Sequence, residues 1–370
     1  MSRASCYWVL AAVVAVVALG GCQGDFPPPS ELHGLRVLAV RPEPASGSPG
    51  ATVRLEMLVA DARPFVDRDD GTRGPPSEVQ VAWLGGCHNP PSRQYYACAP
   101  ALERLAADPA AALASGLLGQ GTGYDLVIPE DILSSAPRLA SDPVHFGVSY
   151  VFFAACTGNL VPAEGAGDKF PFACLNDDGA PIGPSGFVIG FSTVYSYEND
   201  LNHSPVLTGL DFDSRTALAS SVDPFGDTDV PELPIPCTAE TEAADCAGAP
   251  FGHPARCSQN GVCAPFISAC SGKGCPGLRV SPLLRAASVE GAPGGGTEIT
   301  WAGYYSTLGT WSSDTRLVAD RSNGLARDFS SLWTAPPPAA GGARQSARLW
   351  VTVNDQRGGA TWAFFDVVVE

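Results

Sequence analysis

Thr52-Val53-Arg54-Leu55-Glu56-Met57-Leu58-Val59 alternates polar and apolar side chains through its first six residues. Successive side chains of an extended backbone point to opposite faces, so this pattern predicts a half-buried β-strand. Upstream, LRVLAV at 35–40 is a second run of the same kind, and Pro42, Pro44 and Pro49-Gly50 punctuate the space between. Further strands are predicted at 79–84 (with Trp83), 145–155, 187–195, 298–304, 347–354 and 361–369. The last two flank Asp355-Gln356-Arg357-Gly358-Gly359, whose glycines can adopt φ > 0 and close a hairpin. Short β-patterned runs between turn signals, in a chain with 41 Gly and 34 Pro, indicate an all-β protein.

One stretch departs from the pattern. Residues 100–118 are rich in Ala and Leu with apolar spacing near 3.6, which predicts a helical insertion. The expected organisation is two immunoglobulin-like β-sandwiches at 33–200 and 201–370, the second opening at Ser204 to Leu210. A cysteine-rich insertion at 236–276 interrupts the second, which resumes near Leu278.

The N-terminus predicts a compartment. Residues 1–7 carry Arg3 and no acid, and 8–19 (WVLAAVVAVVAL) form a twelve-residue apolar run. That is short of the roughly 20 residues a spanning helix needs, and it fits the apolar core of a signal peptide. Leu19-Gly20-Gly21-Cys22 follows. Apolar run, small residues and cysteine in this order resemble the lipobox of bacterial lipoproteins. The resemblance implies a signal peptide at 1–21 and cleavage before Cys22. It also implies a diacylglyceryl group, with chains such as palmitate, on the Cys22 thiol. Residues 22–32, with Pro27-Pro28-Pro29, then read as the lipidated cysteine and its tether. Gln23 after the anchor favours the outer membrane by analogy with enteric bacteria. The rival is an ordinary secretory signal with a chance cysteine.

A formal net charge of −16 argues against nucleic acid, whose phosphates demand Lys and Arg. Without Cys6 and Cys22, ten of the twelve cysteines remain, an even number that suits disulfides in an oxidising compartment. Local pairing is expected for Cys87 with Cys98 and Cys156 with Cys174, with a Cys87–Cys156 bridge across the sandwich as the rival. Cys237, Cys246, Cys257, Cys263, Cys270 and Cys275 fall within about 40 residues, too little chain for an apolar core without cross-links. Their connectivity stays open. Zinc competes, but only Cys270 and Cys275 approach the paired spacing of a structural site. Such a stapled module serves equally as a recognition surface or as a spacer.

Catalytic chemistry has no sequence signature here. Gly183-Pro184-Ser185-Gly186 lacks the nucleophile-elbow spacing, and neither a zinc-protease helix nor a phosphate-cradling loop is present. His33, His88, His145, His203 and His253 are scattered, so a triad would have to assemble from distant residues. Asp67 to Gly71 with Glu78 imitates a calcium loop superficially, but Thr72 stands where its glycine belongs. Asn176 to Gly179 reads as a turn. Asp223, Asp227 and Asp229 are the best remaining calcium candidates, with solvated loop acids as the plainer account. Trp301, Tyr304, Tyr305 and Trp311 lie close together, and Tyr304 and Trp311 are candidates for stacking on a ligand. Burial in the core is the favoured alternative, with Trp301 suited to a central strand.

LRVLAV with its following Pro-Gly and strand, WTAP at 333–336 and LWVTVNDQRGG at 349–359 resemble bacterial immunoglobulin-like or PKD-like domains. The layout as a whole resembles surface lipoproteins of the myxobacterial type. The resemblance implies sandwich domains and an extracytoplasmic role, and it carries no catalytic residues. The expectation is a lipid-anchored, non-catalytic binding or scaffolding protein of the cell envelope, without cofactors. Its ligand would be an envelope protein or a polysaccharide. A secreted hydrolase with a spatially assembled site is the alternative.

Overall fold

Val53, Leu55 and Met57 are buried while Arg54 and Glu56 remain partly exposed, as the alternation requires. The alternation stops at Leu58 because the strand's outer face is covered from there on: Leu58 and Ala60 are buried as well. What covers them is a second sandwich. The computed structural model describes residues 28–63, 66–67, 73–74, 78–138, 142, 144–163, 170–198, 202–212, 215–217, 235–247, 254–292 and 295–370. Cys22 therefore lies outside the described residues. No helix among them is long and apolar enough to cross a membrane.

Four main sheets are stacked. Sheet I has the order Phe187–Tyr197, Phe146–Cys156, Gln80–His88, Leu118–Gln120. Sheet II has Leu35–Glu43, Thr52–Asp61, Gly123–Val127. Sheet III has Ala255–Cys257, Cys263–Ile267, Ala360–Val369, Gln345–Asp355, Thr300–Ser306, Thr315–Asp320, Gly324–Leu325. Sheet IV has Arg215–Ala217, Leu207–Phe212, Gly277–Leu284, Ser331–Thr334, Thr310–Trp311. Sheets I and II enclose one core, in which Trp83 stacks on Tyr124 and meets Phe153 edge-on. Sheets III and IV enclose the other, around Trp333, Tyr304, Leu278 and Leu349.

A third apolar layer joins the two sandwiches. Leu32, Ala39, Leu58 and Ala60 pack against Trp350 and Trp362. Both tryptophans lie on the outer face of sheet III, since their neighbours Leu349, Val351 and Ala363 point into the inner core. Arg41 reaches across this layer with its guanidinium over Trp362, 4.8 Å from the ring centroid, and bonds Glu56 at 3.0 Å. Burying large aromatics between sheets removes apolar surface from water. The two sandwiches are therefore packed on each other and are not beads on a linker.

The predicted helical insertion forms two short helices, Ala99–Ala107 and Pro109–Ala114. The second is capped by Asp108, whose side chain accepts from Ala111 N at 3.0 Å. The insertion ends earlier than its composition suggests, because Leu118 already pairs in sheet I. The cysteine-rich insertion docks on the second sandwich. Its strand Cys263–Ile267 runs parallel to Ala360–Val369, and Cys237, Cys246, Cys257 and Cys263 are buried in the second core. Ser258 and Asn260 both donate to Asp366, at 2.9 and 2.7 Å.

Candidate functional site

The strand Phe187–Tyr197 (FVIGFSTVYSY) positions the most distinctive surface of the molecule. Val194 points into the core, with Val188 packed against it. Alternation then sends Ile189, Phe191, Thr193, Tyr195 and Tyr197 to the outer face of sheet I. Register sets Phe191 opposite Phe152, Thr193 opposite Tyr150 and Tyr197 opposite Phe146. Cross-strand neighbours on one face touch, so these residues build an aromatic band. Burial pushes the Tyr150, Tyr195 and Tyr197 phenols above the ordinary tyrosine range, so they stay neutral.

A disulfide brings the rest. The Cys87–Cys98 bridge, with Cα atoms 5.7 Å apart, ties residues 91–98 over this face. Tyr95 then stacks on Phe191, with centroids 4.6 Å apart and planes 20° from parallel, and Tyr96 meets Tyr95 edge-on at 5.9 Å. All remain open to solvent: Tyr96 is 67% exposed, Tyr95 46%, Phe191 41% and the adjoining Ile189 52%. Large apolar side chains clustered on a surface mark interaction sites more than scattered ones do.

The supporting loop is held in a costly shape. Asn89, Ser92 and Arg93 have φ of 42°, 57° and 53°. For residues other than glycine this left-handed region costs on the order of 1 kcal/mol or more each, and surrounding contacts must maintain it. Asn89 donates to Ile132 O at 2.6 Å and accepts from Val148 N at 2.9 Å. Arg93 bonds Asp142 at 2.7 Å and Pro137 O at 2.6 Å, and its guanidinium lies 3.9 Å from the Phe146 ring centroid. The Tyr150 hydroxyl donates to Arg93 O at 2.9 Å.

Beside Phe191 a shallow groove of about 390 Å³ runs between the neighbouring edges of sheets I and II of the first sandwich. Val37 to Val40 form one wall, Phe191 to Tyr195 the other, and the turn from Asn354 to Gly359 closes one end. Asp355 in that turn accepts from Asn202 Nδ2 at 3.0 Å and from Arg357 N and Gly359 N at 2.8 Å each. Burial raises its pKa to about 7, and neighbouring Glu298 pushes the same way. Behind it the buried Arg357 bonds Glu298 at 2.7 Å and Glu290 at 3.0 Å, and its guanidinium lies 5.6 Å from the Tyr197 ring centroid. These charges are internally satisfied and brace the junction.

Tyr304 and Trp311 are buried, with ring centroids 5.1 Å apart, so neither presents a face to a ligand. This corrects the stacking candidacy: on Thr300–Ser306, Tyr304 takes the core face. Trp301, expected in the core, takes the opposite face and is exposed. Cys87 pairs with Cys98 and Cys156 with Cys174, both locally. In the insertion, Cys237 pairs with Cys257, Cys246 with Cys263 and Cys270 with Cys275. The sulfurs of Cys237, Cys246 and Cys263 lie within 4.8 Å of one another, but as disulfides they have no thiolate to offer a metal. Asp223, Asp227 and Asp229 lie outside the described residues. Asn176 to Gly179 form the expected turn, with Gly179 at φ 77°.

His88 Nδ1 lies 2.8 Å from the Ser149 hydroxyl, with Asp131 close enough to raise the imidazole pKa against the larger lowering effect of burial. Ser149 is fully buried, so no substrate carbonyl reaches it. The pair reads as a cross-strand hydrogen bond between directly opposed residues.

No family model matches this chain. No curated protein matches it either. Among solved structures, dimeric latent PorU from Porphyromonas gingivalis aligns over 92% of this chain and 24% of its own, at 10% identity and a TM-score of 0.18. This chain thus spans about a quarter of that protein's length, and so loose a likeness carries no argument.

Sequence reasoning missed Tyr95, Tyr96 and Phe191. The available signal was Tyr95-Tyr96 beside a cysteine, together with an uncharged strand. Their meeting depends on which cysteine Cys98 joins.

Proposed function

We propose that this chain is a lipid-anchored, non-catalytic binding protein of the cell envelope, and that Tyr95, Tyr96 and Phe191 form its ligand surface. The observation that carries the reading is that exposed aromatic cluster, mounted on a disulfide-pinned loop with three left-handed non-glycine residues. Strain of this kind persists where geometry serves a function. Rigid exposed rings supply contact area at low entropic cost, to an apolar side chain or to the face of a sugar. The anchor is supported by the apolar run at 8–19 and the small residues before Cys22, and five disulfides suit an oxidising compartment.

The test combines location and capture. Tagged wild type, Cys22→Ala and Tyr96→Ala are fractionated, and each is incubated with envelope proteins and with surface polysaccharide. The expected result is membrane retention of wild type, release of Cys22→Ala, and loss of bound material from Tyr96→Ala. Soluble wild type refutes the anchor. Unchanged capture by Tyr96→Ala refutes the ligand surface.

A further inference from the structure

We infer that the open edge of strand Phe187–Tyr197 accepts an extended peptide as an added β-strand, whose alternate side chains cover Ile189 and Phe191 beside Tyr95. The inference rests on the ligand surface proposed above and names its class of ligand.

Gly47 N donates to Tyr195 O at 2.9 Å, so that carbonyl points away from the neighbouring strand. Val148, opposite Tyr195, has its N and O bonded to Asn89 on the other side. In an antiparallel ladder such residues recur at every second position. Ile189, Phe191 and Thr193 therefore also aim their N–H and C=O groups outward. Gly358 closes on Thr193 O, where an added Cβ would lie 2.9 Å away. The groups of Ile189 and Phe191 are left, and among the described residues no strand pairs with them.

The edge is also unguarded. Proteins blunt sheet edges by keeping the strand short or by adding charge, proline or a bulge. The other terminal strands of the four sheets are two to five residues long, except Leu35–Glu43. That strand carries Arg36, Arg41 and Pro42 and is irregular between Val37 and Ala39. Phe187–Tyr197 has eleven residues, none charged and none proline.

The second sandwich shows the occupied version. The corresponding edge of its last strand, Ala360–Val369, is taken at its end by Cys263–Ile267 in parallel, with Phe266 opposite Val368 and Ile267 opposite Val369. In the first sandwich the parallel contact among the described residues is limited to Ser46 with Tyr195 and Leu35 N with Ser185 O, and the groove opens between them.

These features select the occupant. Donor–acceptor pairs repeating every second residue match an extended backbone, and a sugar has no such repeat. The exposed neighbours Ile189 and Phe191 call for apolar side chains at alternate positions. No Lys or Arg is among the residues that line the groove, and the chain carries a net charge of −16, which favours a basic flank over an acidic one. The ligand is an extended segment of about five residues, apolar at every second position and neutral to basic at its ends.

The probe is a fluorescein-labelled peptide of alternating valine and threonine with a lysine at each end, titrated with the full chain by anisotropy. Saturable binding is expected. It should weaken at least tenfold when the peptide's central amides are N-methylated, and equally in Ile189→Lys and Ile189→Pro. Both variants should keep the wild-type melting curve because the residue 189 side chain is exposed and its N–H points away from the ladder. Equal affinity for the methylated peptide overturns the inference. So does edge-dependent dimerisation without peptide binding, which would make a second copy the occupant. If the peptide fails while polysaccharide binds in a Tyr96-dependent way, the inference falls and the ligand surface stands. If the peptide fails and neither envelope protein nor polysaccharide is captured in a Tyr96-dependent way, both fall.

Discussion

Tyr95 lies flat on Phe191, 4.6 Å between centroids, although the two belong to distant parts of the chain and are brought together by the loop that the Cys87–Cys98 bridge pins. This stack is the mechanical link between the loop and the edge strand. It separates residues that present a surface from residues that hold the fold.

Tyr96→Ala should leave stability within about 0.5 kcal/mol of wild type, since the side chain is largely in solvent. Ligand binding should fall at least about tenfold, the scale of an aromatic anchor. Trp311→Ala should do the opposite, costing about 3–5 kcal/mol by leaving a cavity beside Tyr304. Chemical denaturation paired with ligand capture distinguishes the two.

Replacing Cys87 and Cys98 together by serine should lower stability by about 2–3 kcal/mol, the range for a loop of this length. The larger consequence should be for binding. Without the bridge, Asn89, Ser92 and Arg93 can relax from the left-handed region and Tyr95 can leave Phe191. Hydrogen exchange should then rise over 89–98 and remain unchanged in the second sandwich.

Asp355 gives the junction a pH dependence. Its pKa is raised to about 7 in the folded protein, from an unfolded value near 4. The folded state therefore binds the proton more tightly. Its contribution to stability is full below about pH 4 and is lost as pH rises through about 7. Asp355→Asn should remove that slope and raise stability at pH 8 by on the order of 1–3 kcal/mol. An amide can keep the bonds from Arg357 N and Gly359 N on its oxygen, and once the Asn202 amide turns over it can donate to Asn202 Oδ1, which has no partner among the described residues. Melting curves at pH 5 and pH 8 for both proteins decide it.

Trp362→Ala should cost about 3–5 kcal/mol and also uncouple the sandwiches, because Trp362 fills the layer between them under Arg41. Wild type should unfold in one transition. The variant should unfold in two, and limited proteolysis should cut between 198 and 207 first.

Much of the architecture was legible because its signals are local. Alternation in Thr52–Asp61, the uncharged run at 187–197 and the glycine turn at 355–359 each need only a few neighbouring residues to be read. The local disulfides were legible for the same reason, since short loops bring their own ends together. Burial, the favoured reading for these aromatics, holds for Tyr304 and Trp311, but the core place expected for Trp301 falls to Tyr304, because alternation says that the two oppose each other and not which side is core. That choice belongs to the partner sheet, which puts Trp333 and Leu278 beneath Tyr304.

The sequence by itself determined the strands, the helical insertion, the pairing class of the cysteines and the expectation of export, all carried by period, composition and short spacing. Only the tertiary structure decided that the two sandwiches share an apolar layer, that Tyr95 meets Phe191, and that the edge at Ile189 and Phe191 is open while its counterpart is covered. The physical reason is distance along the chain. A strand's own residues specify its two faces, but what covers a face or an edge is contributed by residues a hundred positions away, and burial is a property of the pair.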